Sequence, residues 1–410
     1  MIPRHRPPFG IGTVLSHLLS ANVSVPEVES RFAESTGMAD AVWFPSARSG
    51  IYSVLKATTD SSTRIVAPAY TCAVVHEALV RTGLQIQLID TDRNSFLMDT
   101  TTLMTAQTGK FATVLCEIYG HTYDLHRIAS PAGPKPQVRI VDMAMTVPNR
   151  ALFQRLEDGD VGVLSFGIGK SMYAGWGGMC FTNNRNLGEE LRKMRDSFLV
   201  MGGPTFFLKQ ATETVLRTLA HQRAVYGLMR KIKQTKPGKK QGRGPKPAGF
   251  PARWAGVKNV SAEWFAPSIY LDRRLALHNL NRVEHYCQRR IAQAARYQKN
   301  FEGSALVTSP RLSVHALSHF TIRVNPAIRQ GVRERLWKKS IDVGTLFPFP
   351  SYLPANDFPN TKNVTSEILN LPLDPGLTFD EIDRISEHVL EAVGSFETKH
   401  EPVLLESSHD

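Results

Sequence analysis

The sequence predicts an α/β fold: a layered, mostly parallel sheet, followed by a smaller α/β domain towards the C-terminal end. Three observations predict it. Short apolar runs alternate with helical stretches from Asp40 to Asn184, the pattern of strand–helix repeats. Many of these runs end in a small or polar turn. After Asn184 the pattern becomes mainly helical to about Gln298, and strand and helix return in "HFTIRV" and "ILNLPLDPGLTFDEIDRISEHVLEAV". The expected division is a large domain over 1–300, with a basic insertion at about 231–253, a small domain over 301–400 and a tail at 401–410.

Taken in order, "VESRFAESTG" reads as a helix. "ADAVWFPSARSGIYSVLKAT" runs strand, turn, helix, with the turn from Ser46 to Gly50. "TRIVAPAYTCAVVHEALVRTG" repeats the scheme, with a strand to Ala67, a turn at Pro68 and a helix from about Ala73. "QIQLIDTD", "FATVLCEIYG", "QVRIVDMAM", "GDVGVLSFG" and "GGMCFTNN" are further strands, the third ending near Asp142. The turns at 46–50, 68–72, 117–121 and 142–145 all follow strands. They therefore converge on one crevice, where parallel sheets bind ligands. There is no internal repeat.

The 410 residues are 42% hydrophobic and 21% charged, enough for one large core and a smaller one. Cys72, Cys116, Cys180 and Cys287 stand far apart in apolar stretches. They read as buried reduced thiols, not as a metal or disulfide framework. The first residues lack a secretory pattern, and no apolar run is long enough to cross a bilayer. A cytoplasmic protein is expected. The net charge of +12 is local: ten Lys and Arg, and no acid, lie between His221 and Arg253. That Gly/Pro-rich stretch reads as a flexible loop. It has no aromatic from Lys231 to Lys246, against a nucleic-acid binder.

One lysine is out of place. Lys170, in "SFGIGKSMYAGWGG", follows an apolar strand in a Gly-flanked turn otherwise free of charge. Withdrawing a lysine from water favours its neutral amine, a nucleophile able to form a Schiff base. Asp142 ends an earlier apolar strand and needs a cationic partner. The protonated ring nitrogen of pyridoxal phosphate would be one. Ser165 and the turn "SARSG" offer hydroxyl and N–H donors to a phosphate at a helix start. The plainer reading is a surface lysine and a helix-capping aspartate.

Several stretches together resemble the DegT/DnrJ/EryC1/StrS family of sugar aminotransferases. "ADAVWFPSARSGIYSVLKA" resembles its phosphate turn and helix, and "RIVAPAYTCAVVHEALVRTGLQIQLIDTDRNSFLMD" its next strand-turn-helix. "EIYGHTYDLHRI" resembles its "YG…D" stretch and "VDMAM" its "EDAAQ". "SFGIGKSMYAGWGGMCFTN" resembles its lysine loop and "ILNLPLDPGLTFDEIDRISEHV" its C-terminal "LPL.P.LT..EI". The resemblance implies an aspartate-aminotransferase-like (fold type I) three-layer domain, with pyridoxal 5'-phosphate as cofactor. It makes Lys170 the internal-aldimine lysine, Asp142 the pyridinium partner and Ser165 a phosphate ligand. Ser49 and Gly50 fall in the phosphate turn.

Departures from the family pattern are concentrated at the site. Arg48 stands where a Thr is common, and either pairs with the phosphate or points to solvent. Cys72 matches the ring-stacking aromatic, leaving Tyr70 or Tyr119 for stacking. Met145 replaces the "DAAQ" glutamine, Trp176 the "GEGG" glutamate and Glu117 a helper histidine. An asparagine donated by the neighbouring subunit is not visible near "WFAPSIYLD".

The implied reaction is transamination from an amino acid, glutamate first, to a keto sugar, most often nucleotide-linked, by a homodimer. The alternatives are a sugar dehydratase, a branch that replaces the lysine present here, and a catalytically silent protein of the same fold. Within 204–250, Leu208, Ala211, Val215, Leu219, Leu228 and Ile232 recur at roughly helical spacing. That stripe either packs on the protein's own core or, with the basic loop, lies on an anionic membrane.

Overall fold

The computed structural model describes residues 1–128, 134–198, 202–235, 262–308 and 315–397. Its main sheet contains β1 (Asp40–Phe44), β2 (Arg64–Pro68), β3 (Gln85–Ile89), β4 (Phe111–Cys116), β5 (Arg139–Asp142), β6 (Asp160–Ser165) and β7 (Gly178–Thr182), in the order β1-β7-β6-β5-β4-β2-β3. The strands β3, β2, β4, β5 and β6 pair in parallel, and β7 is antiparallel to both neighbours. The α/β fold with a mostly parallel sheet is therefore as expected.

Why the strands are so apolar is visible in how their residues divide. Trp43, Val66, Leu115, Val141 and Leu164 enter the core on one side of the sheet. Their neighbours Val42, Ile65, Val114, Ile140 and Val163 enter the core on the other. A sheet covered on both faces needs apolar residues at successive positions. A second, two-stranded sheet pairs β8 (Phe320–Arg323) antiparallel with β9 (Ile368–Leu371). Its core includes Ile322 and Leu369, with Val332 and Ile385 from the helices Pro326–Lys338 and Phe379–Glu397.

The basic stretch splits. Residues up to Thr235 close the helix Arg223–Thr235. The rest of the expected insertion, from 236 to 253, and the tail at 401–410 lie outside the described residues. The stripe expected within 204–250 is not one face. In the helix Pro204–Ala220 the buried residues are Gln210, Ala211, Thr214 and Thr218. Leu208 and Leu228 are 66% and 62% exposed. The reason is the surface this helix meets. Gly175 has a φ of +101°, and a Cβ there would strike Asp272 and the Thr214 hydroxyl. This close approach suits a small side chain at Thr214, and of the expected stripe Ala211 and Val215 pack on the core. Among the described residues no helix is long and apolar enough to cross a membrane.

Candidate active site

The carboxyl ends of β5 and β6 and the loops after β1 and β2 surround a cavity of about 290 Å³, lined among others by Ser46, Arg48, Cys72, Asp142, Ser165 and Lys170. The crevice expected at the strand ends is present, lined from the turns at 46–50, 68–72 and 142–145; no residue of the turn at 117–121 lines it.

The wall beneath β1 is the start of the helix Ala47–Thr58. The backbone N–H of Ser49 donates to the Ser46 hydroxyl oxygen at 3.1 Å, and that of Ser46 donates to the Ser49 hydroxyl oxygen at 3.1 Å. This reciprocal cap fixes the first turn. It leaves the N–H groups of Ala47 and Arg48 without intrahelical partners, at the positive end of the helix dipole. Sequence reading placed Ser49 and Gly50 in this turn. Ser49 is fully buried and occupied by the cap. Gly50 packs against Phe44 and Cys180. Neither is among the residues lining the cavity.

Asp142 closes β5. Its Oδ1 accepts from the Ala144 N–H at 2.9 Å. Burial raises its carboxyl above the ordinary range, while the charge of Lys170, the Ala144 N–H and the Cys116 thiol pull it back. Lys170 is half-buried, with Nζ 6.0 Å from the Phe347 ring centroid. Its backbone is held in a tight turn: its N–H donates to the Gly167 carbonyl at 3.3 Å and its carbonyl accepts from Tyr173 N–H at 3.1 Å. Cys72 and Val75 line the cavity. Tyr70 and Tyr119 lie buried behind, their hydroxyls 2.6 Å apart. Met145 is buried in the same core cluster.

Arg48 has a partner that the sequence did not suggest. Its guanidinium donates to Glu77 Oε2 at 3.0 Å and lies 4.5 Å from the Trp264 ring. Trp176 donates its backbone N–H to Asp272 Oδ1 at 3.3 Å, and its ring lies under Arg217 at 4.8 Å. Arg217, Trp264 and Glu77 were not singled out by sequence reading. Each acts through a partner far away in the chain.

Glu117, beside the site, receives Arg155 at 2.9 and 3.1 Å. Burial raises its carboxyl from 4.5 to about 7 against the pull of Arg155. The native state thus holds this proton more tightly than the unfolded chain does. The resulting stability is present below 4.5 and lost as pH rises through about 7. Arg155→Met leaves that carboxyl buried and unpaired, and is expected to cost about 3–5 kcal/mol at pH 8. The deficit should shrink at pH 5, where the proton neutralises Glu117. Urea unfolding at the two pH values checks this, and an equal deficit at both would contradict it.

The sequence pattern of the DegT/DnrJ/EryC1/StrS aminotransferase family matches residues 15–210 and 273–390. The chain belongs to this family. Membership makes it an enzyme of the pyridoxal-phosphate-dependent aminotransferase type. Among curated proteins it is similar to the spore coat polysaccharide biosynthesis protein SpsC of Bacillus subtilis (strain 168), 22% identical over 402 residues, covering 93% of this chain and 92% of SpsC. Its fold is that of the putative sugar aminotransferase Spr1654 from Streptococcus pneumoniae in its PMP form, at TM-score 0.70 and 17% identity over 96% of this chain and all of that one. Helicobacter pylori PseC, an aminotransferase involved in pseudoaminic acid biosynthesis, gives TM-score 0.68 at 15% identity, covering 96% of this chain and 100% of that one.

The residues present fit the family's cofactor. Asp142 is a buried carboxylate with one N–H partner and a neighbouring amine. It suits a cationic ring nitrogen. The capped helix start and the half-buried Ser165 beside it suit a phosphate.

Proposed function

We propose that this chain is a sugar aminotransferase that moves the amino group of glutamate to the keto group of a nucleotide-linked sugar, as a cytoplasmic homodimer. The observation that carries the reading is the meeting of Lys170 and Asp142 in one cavity, with the start of helix Ala47–Thr58 on its wall. Pyridoxal phosphate, when bound, supplies an electron sink to the carbon that loses its proton. Lys170 Nζ would hold the cofactor, and its free amine would move the proton to and from the donor's α-carbon. Asp142 keeps the ring nitrogen protonated. The N–H groups of Ala47 and Arg48 and the Ser165 hydroxyl hold the phosphate, with Arg48 on the same wall. Cys72 and Val75 exclude water from one side. Val74 and Ile168, 42% and 46% exposed beside the cavity, support a subunit contact at its mouth.

Borohydride treatment of the holoprotein and peptide mapping test the first step. The pyridoxyl group is expected on the peptide containing Lys170, and a label elsewhere would sink the assignment. Glutamate should then convert the bound cofactor to its amine form, and a keto-sugar nucleotide should reverse the change. Light scattering should give the dimer mass.

A further inference from the structure

Arg217 belongs to a segment, 211–272, that lies outside the family match. It nevertheless lines the same cavity as Lys170, Ser46 and Ser165. Its side chain is held on two sides. The guanidinium lies 4.8 Å from the Trp176 ring, and Nη2 donates to Glu213 Oε2 at 3.0 Å. The Glu213 contact uses one of five N–H donors. The Arg217 side chain makes no other hydrogen bond among the described residues.

Its platform is fixed next to the start of helix Ala47–Thr58. Gly177 bridges to Ser46. Asp272 pins the Trp176 N–H, and Thr214, one turn before Arg217 on the same helix, packs on Gly175. Trp176 gives this turn an uncharged, aromatic face. A guanidinium rests well on such a face.

Charge gives the second line of argument. The cavity is lined by three cations, Arg48, Lys170 and Arg217, and one acid, Asp142. On the functional reading above, Lys170 becomes a covalent attachment and Asp142 faces a ring cation. Arg48 and Arg217 are held alike, each by one carboxylate and one indole: Glu77 and Trp264 for Arg48, Glu213 and Trp176 for Arg217. A phosphate dianion at the helix start then faces two guanidiniums with donors to spare, and Arg217 is the one whose platform, Trp176, adjoins the Gly177–Ser46 bridge at that helix start. Planar guanidinium groups bind phosphate through two parallel donors.

We infer that Arg217, presented on Trp176, is a phosphate-binding residue for the cofactor, supplied by the same chain from the part of helix Pro204–Ala220 that lies beyond the family match. The inference rests on the functional reading above. It is tested on the full-length protein stripped of cofactor, by titration with pyridoxal 5'-phosphate and, separately, with pyridoxal, which lacks the phosphate. Arg217→Gln is expected to weaken pyridoxal 5'-phosphate binding about 10- to 100-fold, the loss of one charge-assisted contact, and to leave pyridoxal binding unchanged. Arg217→Lys should recover part of the loss.

Equal weakening of both aldehydes would mean that Arg217 only supports the fold, and would overturn the inference. So would unchanged cofactor binding with a raised KM for the sugar or for glutamate, which would assign the guanidinium to a substrate anion. Failure of the wild type to bind either aldehyde would overturn the functional reading as well. The two failures are therefore distinguishable.

Discussion

Lys170→Ala is expected to abolish transamination, with turnover lowered about 10⁴-fold or more. The size follows from two roles on one nitrogen. On the proposed function the same amine would hold the cofactor and then carry the proton, so truncation would remove both. The turn around it keeps its shape without the side chain, because its hydrogen bonds are made by backbone: Lys170 N–H to Gly167 and Tyr173 N–H to Lys170. Lys170 is half-buried and makes no side-chain ion pair among the described residues. Removing the Lys170 charge leaves the buried Asp142 carboxylate less compensated, so a modest loss of about 1 kcal/mol is expected at pH 7. Lys170→Arg keeps the charge but not the nucleophile, and should be equally inactive. The checks are turnover, thermal unfolding and borohydride labelling, with no label expected in either variant. A Lys170→Ala protein that retains turnover would contradict the assignment.

What the sequence made legible depends on how local the determining contact is. The strands were readable because each is a run of apolar residues closed by a turn, and a sheet buried on both faces demands such runs. Lys170 and Asp142 were readable for a related reason: each is a charge at the end of an apolar strand. The cap between Ser46 and Ser49 has a local signal, two hydroxyls three residues apart. Arg217 had no such signal, since its place depends on a turn 41 residues earlier and on Asp272 far later. The face of helix Pro204–Ala220 was misread because periodicity locates apolar residues. Ala211 and Val215 do pack on the core, but Gly175 brings its turn close to Thr214, and Leu208 and Leu216 stay exposed. The pair Glu117–Arg155 spans 38 residues and joins a strand end to a loop. Nothing in either local sequence announces it.

Asp142→Asn should separate function from stability. The substitution keeps the shape at the end of β5 and can still accept the Ala144 N–H, so the turn survives. It removes the negative charge that, on the proposed function, would keep a ring nitrogen protonated, and turnover is expected to fall about 10²–10⁴-fold. Stability of the cofactor-free protein should move the other way. Burial raises the Asp142 carboxyl above its ordinary 3.8. The ionised form is therefore disfavoured in the native state relative to the unfolded chain. The stability associated with its proton is present below 3.8 and lost as pH rises through the raised value. The neutral amide carries no such cost, so Asp142→Asn should stabilise the cofactor-free protein by about 1 kcal/mol at pH 7. The gain should vanish below the ordinary carboxylate range, where Asp142 is protonated in both states. Adding cofactor should reverse the order, because only the wild type gains the ion pair. Urea unfolding with and without pyridoxal phosphate checks both halves. If the cofactor-free variant is less stable than wild type at pH 7, the carboxylate serves the fold rather than the cofactor, and the assignment of Asp142 fails.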